Sequence, residues 1–375
     1  MGGSEGNVQP YAPCRTACPA GIDVPRYIRQ IRNRDFDAAL ATIRERIPFP
    51  SVCGHACLAF CEQECARLQY DEAVAIRMLK RAAAEYGLDT RRLNAEPTGK
   101  KVAVVGSGPS GLTAGYYCTL KGHETTVFEA MSLPGGMLRF GIPAYRLPDE
   151  VVQREVAYIV EQGVKINCGQ NIDSPADLKK QGFDAVLVAC GAWKSQSFDA
   201  LKDDSPRVLD GLWFLAQVNK GQRPSLGQKV VVVGGGNTAI DAARSARRLG
   251  AKVQILYRRT RQEMPASSKE IEEALEEGVT ITFLTAPICM VEDGLTCVQM
   301  VLGEPDKSGR PCPVTVEGTE YTIASDTVIM AIGQSAAADS LGLTAQTNGT
   351  VKVDKQSMAV SADGIFAAGD IVSGP

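Results

Sequence analysis

Six of the 12 cysteines, Cys14, Cys18, Cys53, Cys57, Cys61 and Cys65, fall within the first 65 residues. The chain is long and shows no export signal, so metal ligands or reduced thiols are expected rather than a disulfide framework. The last four form C-x3-C-x3-C-x3-C. On one helix that stripe would be about 18 Å long at 1.5 Å per residue, too extended for four ligands of one compact cluster. Gly54 also argues against an unbroken helix, so the segment must fold round or share its ligands out. Cys18 is followed by Pro19, and a Cys-Pro step is the usual end of a ferredoxin-type run. An iron-sulfur site is expected. A zinc site using thiolates and His55 is one alternative, although no C-x2-C pair is present and six thiolates exceed one zinc's four ligands. Inert buried thiols are another.

The second source of chemistry is a repeat. Residues 101–130 align without a gap on residues 229–258, which places Gly106 on Gly234, Gly108 on Gly236, Gly111 on Ala239 and Gly122 on Gly250. Each copy reads as a Val-rich strand, then G-x-G-x-x-G/A, then a helix and a second strand. In that setting the glycines allow a tight turn, close approach of backbone to a pyrophosphate, and close helix packing. The candidate phosphate-loop residues are Gly106, Gly108, Pro109, Ser110 and Gly111 in the first copy. In the second they are Gly234, Gly236, Asn237, Thr238 and Ala239.

The copies differ where the adenosine ribose is read. Glu129 ends the second strand of the first copy and suits the ribose hydroxyls of FAD or NAD. Tyr257 takes that place in the second copy and is followed by Arg258 and Arg259. The acid that would repel a 2′-phosphate is gone and guanidinium donors stand nearby, so NADPH is favoured over NADH. A glycine turn without a nucleotide, and a solvated Arg pair, are the plain alternatives. Two such folds in one chain serve different cofactors, because hydride must pass between rings held near contact.

These groups must be positioned by two kinds of architecture. Apolar residues at helical spacing over 24–47, with Pro25 at the start and Pro48 and Pro50 as stops, predict a short helical hairpin. A further helix is predicted over 71–86, opening on acids, carrying Lys80 and Arg81 late and ending at Gly87. Residues 96–99 read as a linker, and from Lys101 the alternation of strands and helices predicts a parallel-sheet α/β architecture. At 375 residues two or three domains are expected. The composition, 44% hydrophobic and 22% charged, is globular, and a net charge of −3 offers no electropositive field for nucleic acid. No run of about 18 apolar residues predicts a membrane span. The expectation is a soluble, cytoplasmic protein.

Further motifs carry a family resemblance: LPGGMLRFGIP at 133–143, the turns at 189–191 and 331–333, and GIFAAGD ending at Asp370. With the two fingerprints they resemble the two-dinucleotide-binding-domain flavoproteins. That resemblance implies FAD at the first copy, with Gly136, Met137 and Gly191 beside it. It also implies that the segment Gly364 to Asp370 returns to the flavin fold, with Asp370 at the ribityl or phosphate region. The fold class is then α/β, two Rossmann-like domains behind an all-α iron-sulfur domain. The boundaries are 1–96 for the helical domain, 97–222 and 335–375 for the FAD domain, and 223–334 for the inserted NAD(P)H domain.

PCxxxCPAGIDVPxYI, PFPSVCGHACxxxCExxC, AIRMLKR, GGGNTAIDAARSARRLGA and YRRTRQEMPA narrow the resemblance. Together they are similar to the small (beta) subunit of NADPH-dependent glutamate synthase and its relatives. Those include the N-terminal half of dihydropyrimidine dehydrogenase and the large subunit of ferredoxin:NADP oxidoreductase. The resemblance implies hydride transfer from NAD(P)H to FAD, then single electrons through a 4Fe-4S cluster to a larger catalytic subunit or ferredoxin-type acceptor. An electron-bifurcating or ferredoxin-linked subunit and a redox-inactive scaffold fit the same motifs. A thioredoxin-reductase-type enzyme does not, because no C-x2-C or C-x4-C follows residue 65. The only histidines are His55 and His123; the latter falls in a helix-to-strand turn, and no acid-base residue is expected beside the flavin.

Two departures matter. Relatives with two clusters carry a C-x2-C ahead of the position of Cys14, where this chain has none. One cluster is therefore expected, with Cys18, Cys57 and Cys61 its core ligands, and a second would need non-cysteine ligands. In the family the GD segment also continues into a helix near the flavin, whereas the chain ends at Pro375. Either it is a piece of a longer chain or another chain completes the pocket.

Overall fold

The computed structural model describes residues 11–91, 95–196, 205–306 and 309–375. The chain divides into two compact units, one of residues 1–100, 112–126 and 145–165, the other of residues 101–111, 127–144 and 166–375. No helix among the described residues is long and apolar enough to cross a membrane.

The head carries α1 (Pro13–Thr16), α2 (Val24–Arg32), α3 (Phe36–Arg44), α4 (Pro50–Ala56), α5 (Phe60–Gln63) and α6 (Ile76–Tyr86). Asp23 and Asp35 begin the expected hairpin as N-caps, their carboxylates accepting from Arg26 N and Ala38 N at 3.2 and 3.0 Å. Ile22, Val24, Tyr27, Ala39, Ile43, Ile76 and Ala83 form the core, with Cys61 among them. The helix expected from residue 71 begins at Ile76 instead. Arg67 holds Asp71 in two bonds of 2.6 and 2.7 Å, so the acids stay in the preceding turn. Its end at Gly87 is as expected.

The first dinucleotide fold runs β1 (Lys101–Val105), α7 (Pro109–Leu120), β2 (Glu124–Glu129), α8 (Met137–Phe140), α9 (Asp149–Glu161), β3 (Lys165–Cys168), α10 (Pro175–Lys180) and β4 (Ala185–Val188), followed by the short β5 (Lys194–Ser195). The second begins with β6 (Val208–Asp210), α11 (Gly211–Asn219), β7 (Lys229–Val233), α12 (Asn237–Arg248), β8 (Lys252–Tyr257), α13 (Ser268–Glu276) and β9 (Thr280–Phe283). An antiparallel excursion that the sequence did not announce follows, β10 (Thr285–Val291), β11 (Gly294–Pro305), β12 (Pro311–Thr315) and β13 (Tyr321–Ala324). The chain returns through β14 (Thr327–Met330), β15 (Gln334–Ser335), β16 (Ile365–Ala367) and α14 (Asp370–Ser373).

The first sheet is ordered β16-β4-β1-β2-β3 and the second β6-β14-β7-β8-β9. β16 lies parallel to β4, with Ile365 opposite Val186, so the end of the chain completes the first sheet and the second fold is inserted between. β6 pairs with β14, and Phe214 and Leu215 of α11 enter the core of the second sheet. That fold therefore starts ahead of residue 223, where the sequence placed the boundary. The reason is that β6 is three residues long and too short to show a strand period.

Candidate functional site

β1 ends in a buried Val-Val pair and the chain turns at Gly106, with φ +102°. A Cβ on Gly111 would stand 1.9 Å from the Gly106 carbonyl oxygen, so α7 packs directly on the turn only because that Cβ is missing. A Cβ on Gly108 would meet nothing within 4 Å, which leaves an open backbone face at the first turn of α7. Two loops close round it. Gly136 lies so near that its Cβ would be 2.7 Å from Gly108 Cα, and a Cβ on Gly106 would be 2.8 Å from Cys190 Cα, beside Gly191. Met137 opens α8 immediately after Gly136, and its carbonyl accepts from Gly141 N and Ile142 N, both at 3.0 Å.

Glu129 is buried at the end of β2. Its Oε2 accepts from Ser107 N at 2.9 Å and Ser107 Oγ at 2.5 Å, and its Oε1 from Met131 N at 2.8 Å. A carboxylate has about four acceptor sites, so one on Oε1 is left for a ribose hydroxyl. Ser107, the variable middle residue of G-x-G, was not singled out from the sequence, because nothing at that position marks it. It also accepts from Gly135 N at 3.1 Å and so pins the 133–137 loop to the phosphate turn. Asp370 begins α14 behind Gly369, whose Cβ would be 2.8 Å from Ser110 Cβ. The Asp370 carboxylate is exposed and has no partner among the described residues, and partial desolvation raises it above its ordinary value. An anion-binding turn with a free carboxylate and a ribose acceptor on its rim fits a dinucleotide with a hydroxylated chain.

The second copy repeats the turn with different fittings. A Cβ on Gly234 would be 2.2 Å from Ala331 O, and one on Gly236 would meet nothing within 4 Å. Asn237 Oδ1 accepts from Ser267 N at 3.1 Å, and Thr238 and Ala239 continue into α12. The Tyr257 ring fills the space over Gly235, where a Cβ would be 2.4 Å from Cε2. Its hydroxyl donates to Glu263 O at 2.7 Å.

The two arginines after Tyr257 part company. Arg258 is exposed and has no partner among the described residues. Arg259 is buried, its Nε donating to Pro311 O at 2.8 Å and its guanidinium 3.7 Å from Asp306. It serves the antiparallel excursion, which no sequence period revealed. The two folds are joined by Asn219 of α11, whose Nδ2 donates to Arg139 O and Ile142 O at 3.1 and 2.9 Å, and by β5 paired with β15.

In the head, α4 ends at Cys57 in extended backbone (φ −67°, ψ 140°), Ala59 is left-handed, and α5 follows. The four-cysteine segment thus folds round, as its length required. All six thiols are free. Burial pushes the Cys53 thiol up to about 12 and Cys61 to about 11. In both the Lys80 ammonium opposes the rise, while Cys57 and Cys18 add to it. Cys61 is buried in the head's core, and Cys14 and Cys18 pack against the same cluster.

Among the described residues no three His, Cys, Asp or Glu side chains converge as ligands of one metal ion. His55 commits Nδ1–H to Ser51 O at 2.9 Å, and His123 Nδ1 lies 2.7 Å from Thr98 Oγ1. A four-iron cluster takes thiolates spaced around it rather than gathered at a point. Six free thiols, three of them in or against an apolar core, and the buried cation Lys80 fit that larger, anionic group.

The head has a support that sequence reasoning missed. Glu155 of α9 is buried, and its two oxygens accept from Ser51 N and Val52 N at 2.7 and 3.0 Å, capping the α4 N-terminus. Burial raises it to about 7 against those bonds and the nearby Arg44 and Arg154. The same helix seats Arg44 over the Tyr158 ring, 3.6 Å from its centroid.

The family described as pyridine nucleotide-disulphide oxidoreductase matches residues 100–375. The one described as dihydropyrimidine dehydrogenase domain II, 4Fe-4S cluster, matches residues 9–92. The NADP(+)-dependent formate dehydrogenase subunit beta of Moorella thermoacetica is 40% identical over 97% of this chain, which spans 57% of that protein. The glutamate synthase [NADPH] small chain of Azospirillum brasilense is 33% identical over 96% of this chain and 81% of its own length. Mycobacterium tuberculosis FprA in complex with NADPH shares the fold, with a TM-score of 0.64 at 18% identity over 75% of this chain and 80% of that one. The chain belongs to the pyridine nucleotide-disulphide oxidoreductase family, with a 4Fe-4S domain ahead of its two dinucleotide folds, and its cofactors are FAD, NADP(H) and an iron-sulfur cluster.

Proposed function

We propose that this chain is the electron-input subunit of a larger oxidoreductase, oxidising NADPH and passing electrons on to a partner subunit. The observation that carries the reading is the pair of tied cradles with different ribose ends, Glu129 in one and Tyr257 followed by the free Arg258 in the other. When bound, flavin supplies hydride acceptance and release of electrons singly, and an iron-sulfur cluster supplies one-electron carriage.

The protein's part is binding and orientation. The open face of Gly108, the first turn of α7 at Pro109, Ser110 and Gly111, the free acceptor on Glu129 and the Asp370 carboxylate hold FAD. Gly136, Met137 and Gly191 line its rim. Gly234, Gly236, Asn237, Thr238 and Ala239 hold the pyrophosphate of NADPH, and Arg258 reads its 2′-phosphate. Asn219 and the β5–β15 pair fix one fold against the other, which is what transfer between two rings requires. Cys18, Cys53, Cys57 and Cys61 hold the cluster. The relatives' names, subunit beta and small chain, support a hetero-oligomer with a larger catalytic subunit.

Anaerobic addition of NADPH to the chain loaded with FAD, iron and sulfide tests this. Bleaching of the flavin followed by a reduced-cluster EPR signal is the expected result. Flavin that stays oxidised refutes the reading and leaves a redox-inactive scaffold.

A further inference from the structure

The buried face of α6 is formed by Ile76, Lys80 and Ala83, an apolar stripe interrupted by one ammonium. Lys80 is only 4% exposed, and among the described residues no carboxylate pairs with it and no hydrogen bond holds it. An isolated charge in an apolar interior is expensive unless an opposite charge meets it. The elements packed on that face carry the cysteines. A Cβ on Gly54, next to Cys53, would lie 2.7 Å from Arg81 Cβ and 3.0 Å from Arg81 N, so α4 touches α6 one residue from Lys80. On the other side Arg77 N donates to Glu62 Oε1 of α5 at 2.7 Å, and its Nη1 donates to Cys57 O at 3.1 Å. Arg77 and Lys80 are three residues apart, hence neighbours on one helix face. Ile76 and Ala83, which flank Lys80 on this face, share one buried cluster with Cys61.

We propose that Lys80 is a positioning residue for the iron-sulfur site, a fixed positive charge beside Cys53 and Cys61 that compensates their thiolates and makes the bound cluster easier to reduce. This rests on reading the head as the cluster domain. Reduction adds one electron, drawn from the reduced flavin, to a site already negative through its thiolates. A buried cation at that site favours the reduced form, and its loss leaves the extra charge uncompensated.

The test uses the full chain, reconstituted anaerobically with iron and sulfide, in wild-type, Lys80→Met and Lys80→Arg forms. Iron and acid-labile sulfide are assayed, circular dichroism checks folding, and EPR-monitored titration gives the cluster midpoint potential. Lys80→Met should make the cluster at least tenfold harder to reduce at a given poise, about 59 mV for one electron, and Lys80→Arg should stay near wild type. If Lys80→Met cannot hold iron while Lys80→Arg holds it at the wild-type potential, the charge is needed for assembly and the proposal stands. An unchanged potential in Lys80→Met overturns it. So does loss of the cluster, or an equal shift, in both folded variants, because the role is then packing rather than charge. A wild-type chain that takes up no sulfide fails at the earlier step: it overturns the cluster reading and this proposal with it.

Discussion

Arg258 and Arg259 are adjacent and chemically identical, yet the structure assigns them to different work, and substituting each separately tests that division. Arg258 is exposed with its guanidinium uncommitted, whereas Arg259 is buried against Pro311 O and Asp306. A hydrogen bond to a charged group contributes about 1.5–3 kcal/mol, and exposure at this rim argues for the lower part of that range. Arg258→Ala should therefore cost about 1.5–2 kcal/mol of NADPH binding, roughly a ten- to thirtyfold rise in KM at 1.4 kcal/mol per decade. KM for NADH, which lacks the 2′-phosphate, should stay within about twofold, because no contact to it is removed. Arg259→Ala should leave the NADPH-to-NADH ratio intact. It should instead lower the thermal midpoint, since it strands the Pro311 carbonyl and the Asp306 carboxylate around a buried gap. The assay is steady-state reduction of an artificial acceptor with each nucleotide, alongside thermal melts of all three proteins. A preference unmoved in Arg258→Ala but collapsed in Arg259→Ala would refute the assignment.

Three further outcomes follow from particular contacts. Gly111→Ala places a Cβ within 1.9 Å of a backbone oxygen that cannot swing away, so α7 must lift from the turn at a cost of about 1–3 kcal/mol. Flavin content after purification should fall sharply, and full occupancy with an unchanged melt would contradict this. Glu155 holds its proton more tightly in the folded chain, at about 7 against an ordinary 4.5. Its contribution to stability is therefore complete below about pH 4.5 and is lost as the pH rises through 7, with an upper bound of about 3 kcal/mol. The denaturation midpoint of wild type relative to Glu155→Gln should fall across that window, and a difference that rises with pH would overturn the account. Ser at Cys18, Cys57 or Cys61 should abolish bound iron and sulfide, while Cys14→Ser should retain them. Equal loss in all four would mean that Cys14 is a ligand as well.

Legibility in the sequence followed the range of the interactions. The two βαβ copies were readable because a buried parallel strand, a phosphate turn and its helix are contiguous, and their spacing is set by backbone geometry alone. The hairpin of α2 and α3 was readable through Pro25, Pro48 and a 3.6-residue period, whereas its caps Asp23 and Asp35 showed only in the structure. The start of α6 was not, because whether acids open a helix or sit before it depends on Arg67, which claims Asp71 first. The excursion of β10–β13 and the early start at β6 were hidden for a related reason: short or two-sided strands carry no distinctive period. The burial of Arg259 depends on that excursion and was hidden with it. Glu155 was out of reach, since its partners are about a hundred residues away in the chain. Lys80 left a sequence signal, a lone cation on the apolar stripe of Ile76 and Ala83, but only the packing of α4 shows what it faces.

The two copies of the repeat keep the same turn with different side chains at two paired positions. Position 107 of the first copy corresponds to 235 of the second, and 129 to 257. In the first, Ser107 donates to Glu129 through both backbone and hydroxyl. In the second, Gly235 faces the Tyr257 ring, which fills the space a Cβ would take. Neither pair tolerates half of the other. A serine at 235 would drive its Cβ into the Tyr257 ring, and a glycine at 107 would remove both the hydroxyl bond to buried Glu129 and the anchor of Gly135. The exchange acts on electrostatics as well as shape. It removes a carboxylate from the nucleotide's ribose end and replaces it with a ring whose hydroxyl points away, to Glu263 O. With the negative charge gone, the exposed Arg258 is free to meet a phosphate rather than a neighbouring acid. On the reading proposed above, nucleotide preference rests on these two paired positions, and Arg258 meets the 2′-phosphate where no carboxylate stands.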